Sequence, residues 1–337
     1  MAINLGISSY CLWSKMESDG WTLLDIMDWA KAHDCTHMEV VPFGLPILNE
    51  DGSGNFELAK KVAEHADKIG LKLSAFSLNA HLVFPAKEAD HKEELYRREI
   101  NRIETVMQVA KTMGCYKFRN DVCSGQQPDG INTPEQFEED FPTFVKGVQE
   151  LADYAKTLGL STTLENHGLY VNGADRVIRI LRAAGRDNVG LTVDVGNFLC
   201  VDEDPVTNVS RAIKYADMVH LKDFYIRDNA RMLPQDGMYV SFPKDYATKD
   251  RSKGEIERPT SWTEKIPSFG YVGTAAGNKI LRGAIVGQGD MDLWKILSII
   301  KHSGYEKEIS LEFEGMEDCV AGTYYGLETA RYIWDRV

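Results

Sequence analysis

Short apolar segments rich in β-branched residues alternate with longer amphipathic segments from one end of the chain to the other. The short segments are typical of buried β-strands, and the longer ones carry apolar residues at helical spacing. A predicted helix follows each predicted strand, and this order repeats eight times. The strands are predicted at residues 3–10, 36–42, 71–78, 116–119 and 161–164 and in the segments that run into Asp194, His220 and Glu312.

This repeat predicts an α/β fold of the (β/α)8 type, a TIM barrel whose parallel strands close on themselves inside a ring of helices. Glycines stand between a helix and the next strand at several boundaries, where a left-handed residue ends a helix without steric cost. Gly70 and Gly114 are examples. An open, doubly wound sheet is the main alternative, since alternation alone does not close a barrel. Residues 1–337 are predicted to form one domain.

Polar residues at the strand ends favour the closed form. Four predicted strands end on side chains that can bind metal ions: Glu165, Asp194, His220 and Glu312. In a barrel the carboxyl ends of all strands converge on one mouth, so residues far apart in sequence can meet there. An open sheet would instead spread the four ends along a line.

The four residues together predict a metal site. Taken singly, each acid is more often an ion-pair partner, and a lone histidine is more often a core residue. Three carboxylates in one mouth would repel one another and raise one another's pKa unless a cation neutralised them. Three oxygen ligands and one imidazole suit Mn²⁺, Mg²⁺ or Co²⁺, and Zn²⁺ is compatible. We expect one divalent ion, with Mn²⁺ preferred.

The chain between Tyr225 and Gly289 breaks the alternation. It is too long for a simple loop of a compact domain. Because it follows the seventh strand, residues 225–289 are predicted to be an insertion over the barrel mouth. Trp262 and several tyrosines suit a lid or a docking surface for a partner. A decorative or oligomer-forming insertion is the alternative interpretation.

Composition narrows the possible partners. The net charge of -13 disfavours binding to nucleic acid phosphates. No run is apolar and long enough to span a bilayer, and the start MAINLGISSY lacks the basic and apolar regions of a signal peptide. Six scattered cysteines without CxxC spacing are typical of reduced thiols. These features predict a cytoplasmic protein that binds neither nucleic acid nor membrane.

The sequence resembles the xylose-isomerase-like barrels, a group of sugar isomerases and epimerases. The resemblance covers nearly the whole chain apart from the insertion. It implies that the four strand-end residues hold one divalent metal. Many members have a histidine three residues after the metal-binding aspartate, whereas this chain has Asn197, so the chemistry of the ketose epimerases does not carry over directly. The motifs are LEN-H at 164–167, VDVGN at 193–197, HLKDF at 220–224, GQGDMD at 287–292 and ISLEFEG at 309–315.

The resemblance also implies catalytic roles. A metal that polarises a sugar carbonyl stabilises an enediolate, and Glu165 or Glu312 could then move a proton on the adjacent carbon. His167 lies two residues after Glu165 and points the same way if strand geometry continues. It is therefore another candidate acid or base, or a hydrogen-bonded support of the site. The candidate substrate-binding residues are His81, Arg119, Asn197 and Lys222.

A metal-dependent sugar isomerase or epimerase is the preferred function. A lyase is the first alternative, because the large subunits of C-glycoside deglycosidases resemble this family and cleave 3-oxo-glycosides together with a small partner subunit. Apurinic endonucleases share the barrel, but they need three zinc ions and a basic DNA-binding face. A non-catalytic sugar-binding scaffold would not need clustered carboxylates. The expected ligand is a small sugar or glycoside, with a homo-oligomer or a small partner subunit left open.

Overall fold

The computed structural model describes residues 2–228, 271–274 and 279–337. Eight parallel strands form a closed barrel in which the last strand pairs with both the first and the seventh. The predicted (β/α)8 barrel is confirmed. The barrel strands are β1 (Leu5–Ser8), β2 (His37–Val40), β3 (Lys72–Leu78), β4 (Lys117–Asn120), β5 (Ser161–Glu165), β6 (Val189–Asp194), β7 (Ala216–Leu221) and β11 (Ile309–Leu311).

Helices surround the barrel. Among the described residues, no helix combines the length and the apolarity needed to cross a membrane. The helices are α1 (Ser14–Ser18), α2 (Leu23–Ala32), α3 (Phe56–Ile69), α4 (Lys92–Met113), α5 (Pro134–Thr157), α6 (Ala174–Ala184), α7 (Pro205–Ala212), α8 (Leu293–His302) and α9 (Cys319–Trp334).

Local capping explains most helix boundaries. Thr22 caps α2 and Thr133 caps α5, each with a side-chain oxygen that accepts a backbone N–H of the first turn. The last helix, α9, begins at Cys319, because the Asp318 carboxylate accepts the N–H of Ala321 and caps the helix there.

Side chains alternate between the two faces of each barrel strand. Phe76 of β3 and Phe118 of β4 stack with ring centroids 6.1 Å apart and belong to the large apolar core. The following residues, Ser77 and Arg119, pair in register on the other face, toward the barrel interior. This alternation leaves polar side chains facing one another across the interior near the mouth.

A second sheet rises from the carboxyl end of β7. It is antiparallel and consists of β8 (Asp223–Asp228), β9 (Tyr271–Gly273) and β10 (Lys279–Ala284), with β10 in the centre. The described ends of the predicted insertion are therefore strands. Beyond β10, Ile285 and Val286 belong to the large apolar core. Residues 229–270, including Trp262, lie outside the described residues, and so does most of the predicted cover over the mouth.

Candidate metal site and active site

Four side chains meet at the barrel mouth. Each offers one donor atom, and these atoms lie within 4.8 Å of one another. All four side chains are buried. They come from the ends of four neighbouring strands, because the parallel barrel brings these carboxyl ends together. They are the predicted ligand residues Glu165, Asp194, His220 and Glu312.

The imidazole of His220 contacts carboxylates through both of its ring nitrogens. Its Nδ1 atom lies 3.1 Å from Glu165 Oε1, 3.4 Å from Glu312 Oε1 and 3.9 Å from Asp194 Oδ2. Its Nε2 atom lies 2.8 Å from the Oε2 atom of Glu39, a buried acid of β2. One edge of the ring therefore faces the three predicted ligand carboxylates, and the other edge is held by a fourth.

Two buried cations contact the same carboxylates. Lys222 Nζ lies 3.0 Å from Asp194 Oδ2, 2.9 Å from Glu312 Oε2 and 3.0 Å from Glu314 Oε1. The guanidinium of Arg119 forms an ion pair with Glu165 through its Nε atom. These two predicted substrate-binding residues thus lie beside the cluster.

Asn197 also contacts the cluster. Its side-chain amide donates hydrogen bonds to Glu165 Oε1 at 3.3 Å and to the carbonyl oxygen of Asn166 at 3.0 Å. The side chain of Asn166 in turn bonds both the N–H and the carbonyl oxygen of Asp194. Asn166 thus ties the end of β5 to the end of β6, and Asn197 fixes one Glu165 oxygen.

The electrostatics of the mouth are unbalanced. Burial raises the pKa of Asp194 to about 7, and the nearby charges of Glu165 and Glu312 add to this rise. Burial would also raise the pKa of Glu165, but the charges of Arg119 and His220 outweigh it and lower that pKa. Burial disfavours a charged His220, yet the surrounding carboxylates raise its pKa above the usual value. Without another cation, the cluster holds protons that an isolated Asp or His would lose.

One oxygen in the cluster is oriented but not hydrogen-bonded. Asp194 Oδ1 accepts the backbone N–H groups of Gly196 at 2.8 Å and Asn197 at 2.9 Å, which fixes the carboxylate. Asp194 Oδ2 is buried, and apart from its ion contact with Lys222 no described group donates a hydrogen bond to it. A fixed, buried carboxylate oxygen of this kind fits a bound cation, since such oxygens are otherwise hydrogen-bonded. The four residues can therefore hold one divalent metal ion.

His167 belongs to a separate pair. Its Nδ1 atom lies 2.7 Å from Asp121 Oδ2, and the other Asp121 oxygen accepts the N–H of Ala80. Asp121 is buried, whereas the His167 side chain is about one-third exposed. The Nδ1 edge of the imidazole is therefore held by Asp121, and the ring is partly exposed to solvent.

His81 lies apart from the cluster. Its side chain is exposed, and its backbone N–H donates to the Glu99 carboxylate of α4. Within the described part of the chain, no hydrogen bond or ion pair joins the His81 side chain to the four ligand residues.

An aromatic wall follows β1 and β2. The ring of Phe43 lies 5.6 Å from that of Tyr10 and 5.7 Å from that of Trp13, measured between centroids. Burial raises the pKa of Tyr10, and so does the charge of Glu314, which places this hydroxyl near the acidic cluster. Phe43 remains exposed. The mouth thus has an apolar aromatic patch beside its acidic residues.

Two residues of this site, Glu39 and Asp121, were absent from the predicted set. Asp121 directly follows β4, so it obeys the same strand-end rule that identified the four ligands. Glu39 lies inside β2 among buried residues. A wholly buried acid within a short strand is a usable signal, because it requires a partner.

The carboxylate of Asp223 holds together the two ends of the predicted insertion, residues 225–289, which we call the long segment. It accepts four backbone N–H groups, from Phe224 at 2.8 Å, Gly287 at 3.0 Å, Gly289 at 2.9 Å and Met291 at 3.4 Å. A Cβ atom on Gly289 would lie 2.3 Å from Asp223 Oδ1, so only glycine fits this close approach. We name Asp223 and residues 287–291 the clasp. The HLKDF and GQGDMD motifs thus hold together the two ends of the segment.

None of the curated protein sequences matches this chain significantly. Several solved structures have a similar fold. The IolI protein with a bound zinc atom is 17% identical, has a TM-score of 0.64, and the match covers 99% of each chain. The 3-keto-D-glucoside 4-epimerase of E. coli is 12% identical with a TM-score of 0.63, covering 98% of this chain and 99% of that one. The probable 3-DHS dehydratase of Bacillus anthracis is 12% identical with a TM-score of 0.61, covering 100% of both.

These structures share the fold at low identity and carry no reaction across by themselves. The family model described as xylose isomerase-like TIM barrel matches residues 27–331, which is most of the chain. The resemblance seen in the sequence motifs is thereby confirmed. The chain belongs to the xylose isomerase-like TIM barrel family.

Proposed function

We propose that this protein is a divalent-metal-dependent enzyme that isomerises or epimerises a sugar by enolisation next to a carbonyl group. The observation that carries the proposal is the meeting of four ligand side chains with a histidine–aspartate pair at one barrel mouth. The similar fold of a 3-keto-D-glucoside 4-epimerase supports the same reaction class. Mn²⁺ is our preferred ion, and the zinc in the similar IolI structure makes Zn²⁺ the first alternative.

When bound, the divalent ion supplies Lewis acidity to the sugar carbonyl and the neighbouring hydroxyl oxygen. The chain supplies the groups that move protons. With Nδ1–H donated to Asp121, the Nε2 atom of His167 is left with a lone pair that can accept a proton from carbon. We assign His167 this role, which does not require it to bind the metal.

A second acid or base is needed when a proton leaves one face of a carbon and returns on the other. Glu165 and Glu312 both have charged partners on their two oxygens, so these contacts do not separate them, but Glu165 is fully buried. Glu312 is the most exposed of the four ligand residues, at 9%. Strands β6 and β7 separate Glu312 from His167 around the barrel. We therefore prefer Glu312 as the partner of His167 and regard Glu165 mainly as a ligand.

The charges of the mouth favour an uncharged sugar. Six carboxylates surround the site, against two permanently cationic side chains, Arg119 and Lys222. Even with a divalent ion in place, the mouth would repel a phosphorylated or carboxylated substrate. Arg119, Lys222 and Asn197 can donate hydrogen bonds to sugar hydroxyls, and the aromatic wall suits the apolar face of a sugar ring. The carboxylates are Glu39, Asp121, Glu165, Asp194, Glu312 and Glu314.

A lyase is the second candidate, for one specific reason. Asn197 stands where many family members have a histidine, and an amide cannot donate and accept protons as an imidazole does. The similar fold of the probable 3-DHS dehydratase supports an elimination as the alternative reaction. A lyase-type C-glycoside deglycosidase subunit that acts on a 3-oxo-glycoside would use the same enolisation, with a leaving group on the next carbon. A sugar-binding scaffold is disfavoured, because it would have no use for a buried Asp194 oxygen that accepts no hydrogen bond apart from its ion contact with Lys222.

A panel of substrates in D2O separates these candidates. The protein, supplied with Mn²⁺, is incubated with free ketoses, their phosphates and 3-oxo-glycosides, and the products are read by mass spectrometry. An epimerase yields an isomer of a neutral sugar that carries one deuterium, whereas a lyase releases the aglycone. No deuterium uptake into any sugar and no elimination would overturn the proposed function.

His220→Ala provides the control. Elemental analysis should find about one metal ion per wild-type chain and much less in the variant, because one ligand is lost. Equal, stoichiometric metal in both proteins would remove His220 from the ligand set.

A further inference from the structure

Glu39 is an acid of the site that the sequence motifs did not identify. It belongs to β2, is fully buried, and contacts His220 of β7. These two strands are not neighbours, since β1 and β11 separate them around the barrel. The contact therefore crosses the barrel interior. A second partner, Ser77 of β3, donates a hydrogen bond to Glu39 Oε1.

The two ring nitrogens of His220 have different surroundings. Nε2 lies 2.8 Å from Glu39 Oε2, and Nδ1 faces Glu165, Asp194 and Glu312. A hydrogen bond to a carboxylate requires a proton on Nε2, because the carboxylate can only accept. Nδ1 lies 3.1 Å from Glu165 Oε1 and can donate a proton to that carboxylate in the same way while no metal is bound. When a metal ion takes the place of that proton, the proton held on Nε2 leaves the Nδ1 lone pair directed at the other three ligand residues.

We propose that Glu39 is a positioning residue of the metal site, which fixes His220 as an Nδ1 ligand by holding its Nε2–H. This inference rests on the metal site of the proposed function. Ser77 completes the arrangement, since its hydroxyl holds the other Glu39 oxygen and restrains rotation of the carboxylate. A carboxylate behind a ligating histidine orients the ring and increases its basicity as a ligand.

A simpler role for Glu39 is to be a counter-ion of a charged His220. The two roles differ in what a conservative change does. Glu39→Gln keeps an acceptor oxygen for Nε2–H but removes the charge, whereas Glu39→Ala removes both. Positioning through the hydrogen bond predicts that glutamine rescues most of what alanine loses. A counter-ion role predicts that glutamine and alanine behave alike.

The test measures metal binding without substrate. Wild type and variants are freed of metal by a chelator and titrated with Mn²⁺, with free Mn²⁺ followed by electron paramagnetic resonance. We expect Glu39→Ala to weaken Mn²⁺ binding by about 10- to 100-fold, the usual range for losing such a supporting group. Glu39→Gln should stay within about threefold to tenfold of wild type, and Ser77→Ala should fall between wild type and Glu39→Ala.

A second readout follows the ring itself. In Co²⁺-loaded protein labelled with 15N-histidine, the His220 nitrogen bonded to the metal should be Nδ1 in wild type and in Glu39→Gln. The matched control is Glu308→Gln, which removes a partly buried carboxylate at the opposite end of the barrel. It should leave the dissociation constant of Mn²⁺ unchanged. Thermal unfolding of each variant shows whether it is folded.

The outcomes separate this inference from the proposed function. If wild type binds Mn²⁺ and converts a sugar, but Glu39→Ala binds Mn²⁺ equally well, the positioning role is wrong and the enzyme stands. Equal losses in the alanine and glutamine variants would also contradict it, in favour of the counter-ion role. If wild type binds no divalent ion, both proposals fail.

Discussion

The two ends of the barrel carry similar polar clusters that differ in charge balance. At the amino end, which we call the floor, Lys117 Nζ lies 2.6 Å from Glu308 Oε2 and 3.3 Å from Asp217 Oδ2. Tyr116 donates to Glu308, and Lys307 forms a second ion pair with Asp217. Every carboxylate of the floor therefore has a cationic partner. At the mouth, carboxylates outnumber cations, and one buried oxygen has no hydrogen bond.

The pKa values reflect this difference. Burial would raise the pKa of Glu308, but Lys117 outweighs it, so the floor carboxylate stays ionised within its ion pair. At the mouth, burial and neighbouring acids raise the pKa of Asp194 to about 7. A cluster whose charges balance needs nothing further, whereas an unbalanced one is a feature of functional sites. The floor cluster thus stabilises the fold, whereas the mouth cluster has more negative than positive charge and would be balanced by a bound cation.

The largest effect is expected from Lys117→Met at the floor. Removal of the ammonium leaves Glu308 and Asp217 without their shared partner, and breaking a buried pair in this way costs about 3–5 kcal/mol of unfolding free energy. Urea unfolding measures this loss. The Mn²⁺ dissociation constant and the turnover of the folded fraction should not change. The matched variant at the mouth, Lys222→Met, should lower turnover more than stability. The reverse pattern would abolish the distinction between the two ends.

The next largest effect is a loss of stability at acidic pH, which we expect from His37 in the floor. Burial lowers the pKa of this histidine to about 4, whereas an unfolded histidine titrates near 6.5. Between these values the unfolded chain binds more protons, so stability falls as the pH falls from about 6.5 towards 4, by up to about 3 kcal/mol. His37→Gln should flatten this part of a pH series of urea unfolding. An unchanged acid slope would show that His37 is already charged in the fold.

In the metal-free protein, the stability contribution of the mouth should change with pH in the opposite direction to that of His37. An unfolded aspartate ionises near pH 4, whereas Asp194 in the fold holds its proton until about pH 7. The folded state binds more protons in this window, so the Asp194 contribution to stability falls as the pH rises. A bound divalent ion replaces the proton and should remove the trend. The check is the same pH series with and without Mn²⁺, and a trend that Mn²⁺ leaves intact would contradict the metal assignment.

A smaller effect, confined to the reaction, is expected for His167→Asn. Loss of a positioned acid or base should lower kcat by about 100-fold, with a smaller change in KM. Metal content should stay at the wild-type value, because no hydrogen bond or ion pair among the described residues joins the His167 side chain to the four ligand residues. The unfolding free energy should change little, because the asparagine amide can still donate to the buried Asp121 carboxylate. Asp121→Asn should lower kcat less, since the imidazole remains. Near-normal turnover would reduce His167 to a structural support, and loss of metal would make it a ligand or an anchor of one.

Much of the barrel could be predicted from the sequence, because its signals are local. Helix caps such as Thr22 act within one turn, and strand-end acids such as Glu165 need only the rule that parallel strands end on one rim. Glu39 could not be assigned in this way. Its partner, His220, is 181 residues away and is reached only across a closed barrel. Which side chain lies opposite a given position depends on how the strands close, and alternation does not specify this.

The long segment marks a different limit of sequence patterns. Its length predicted an insertion, but its described ends are paired strands, and Val286 is a core residue. The pairing of β8 with β10 joins residues more than fifty positions apart. Local sequence patterns cannot predict an antiparallel pairing between residues so far apart. The partners of Asp223 are backbone N–H groups, which carry no signature in the sequence.

The smallest effect is expected at the clasp, which joins the segment to the mouth. In Asp223→Asn, one acceptor oxygen becomes an NH₂ group that faces the N–H donors of Gly287 and Gly289, so local opening should become easier by about 1–2 kcal/mol. Hydrogen exchange of these two amides should speed up by about tenfold, with little change in global unfolding. Asp290→Asn is the matched control, because the Asp290 carboxylate accepts the N–H of Ile226 and bonds neither Gly287 nor Gly289. If the segment shapes substrate specificity, Asp223→Asn should raise KM while metal content stays the same. Faster exchange with an unchanged KM would instead make the segment independent of the site, and the mouth alone would then determine which sugar is bound.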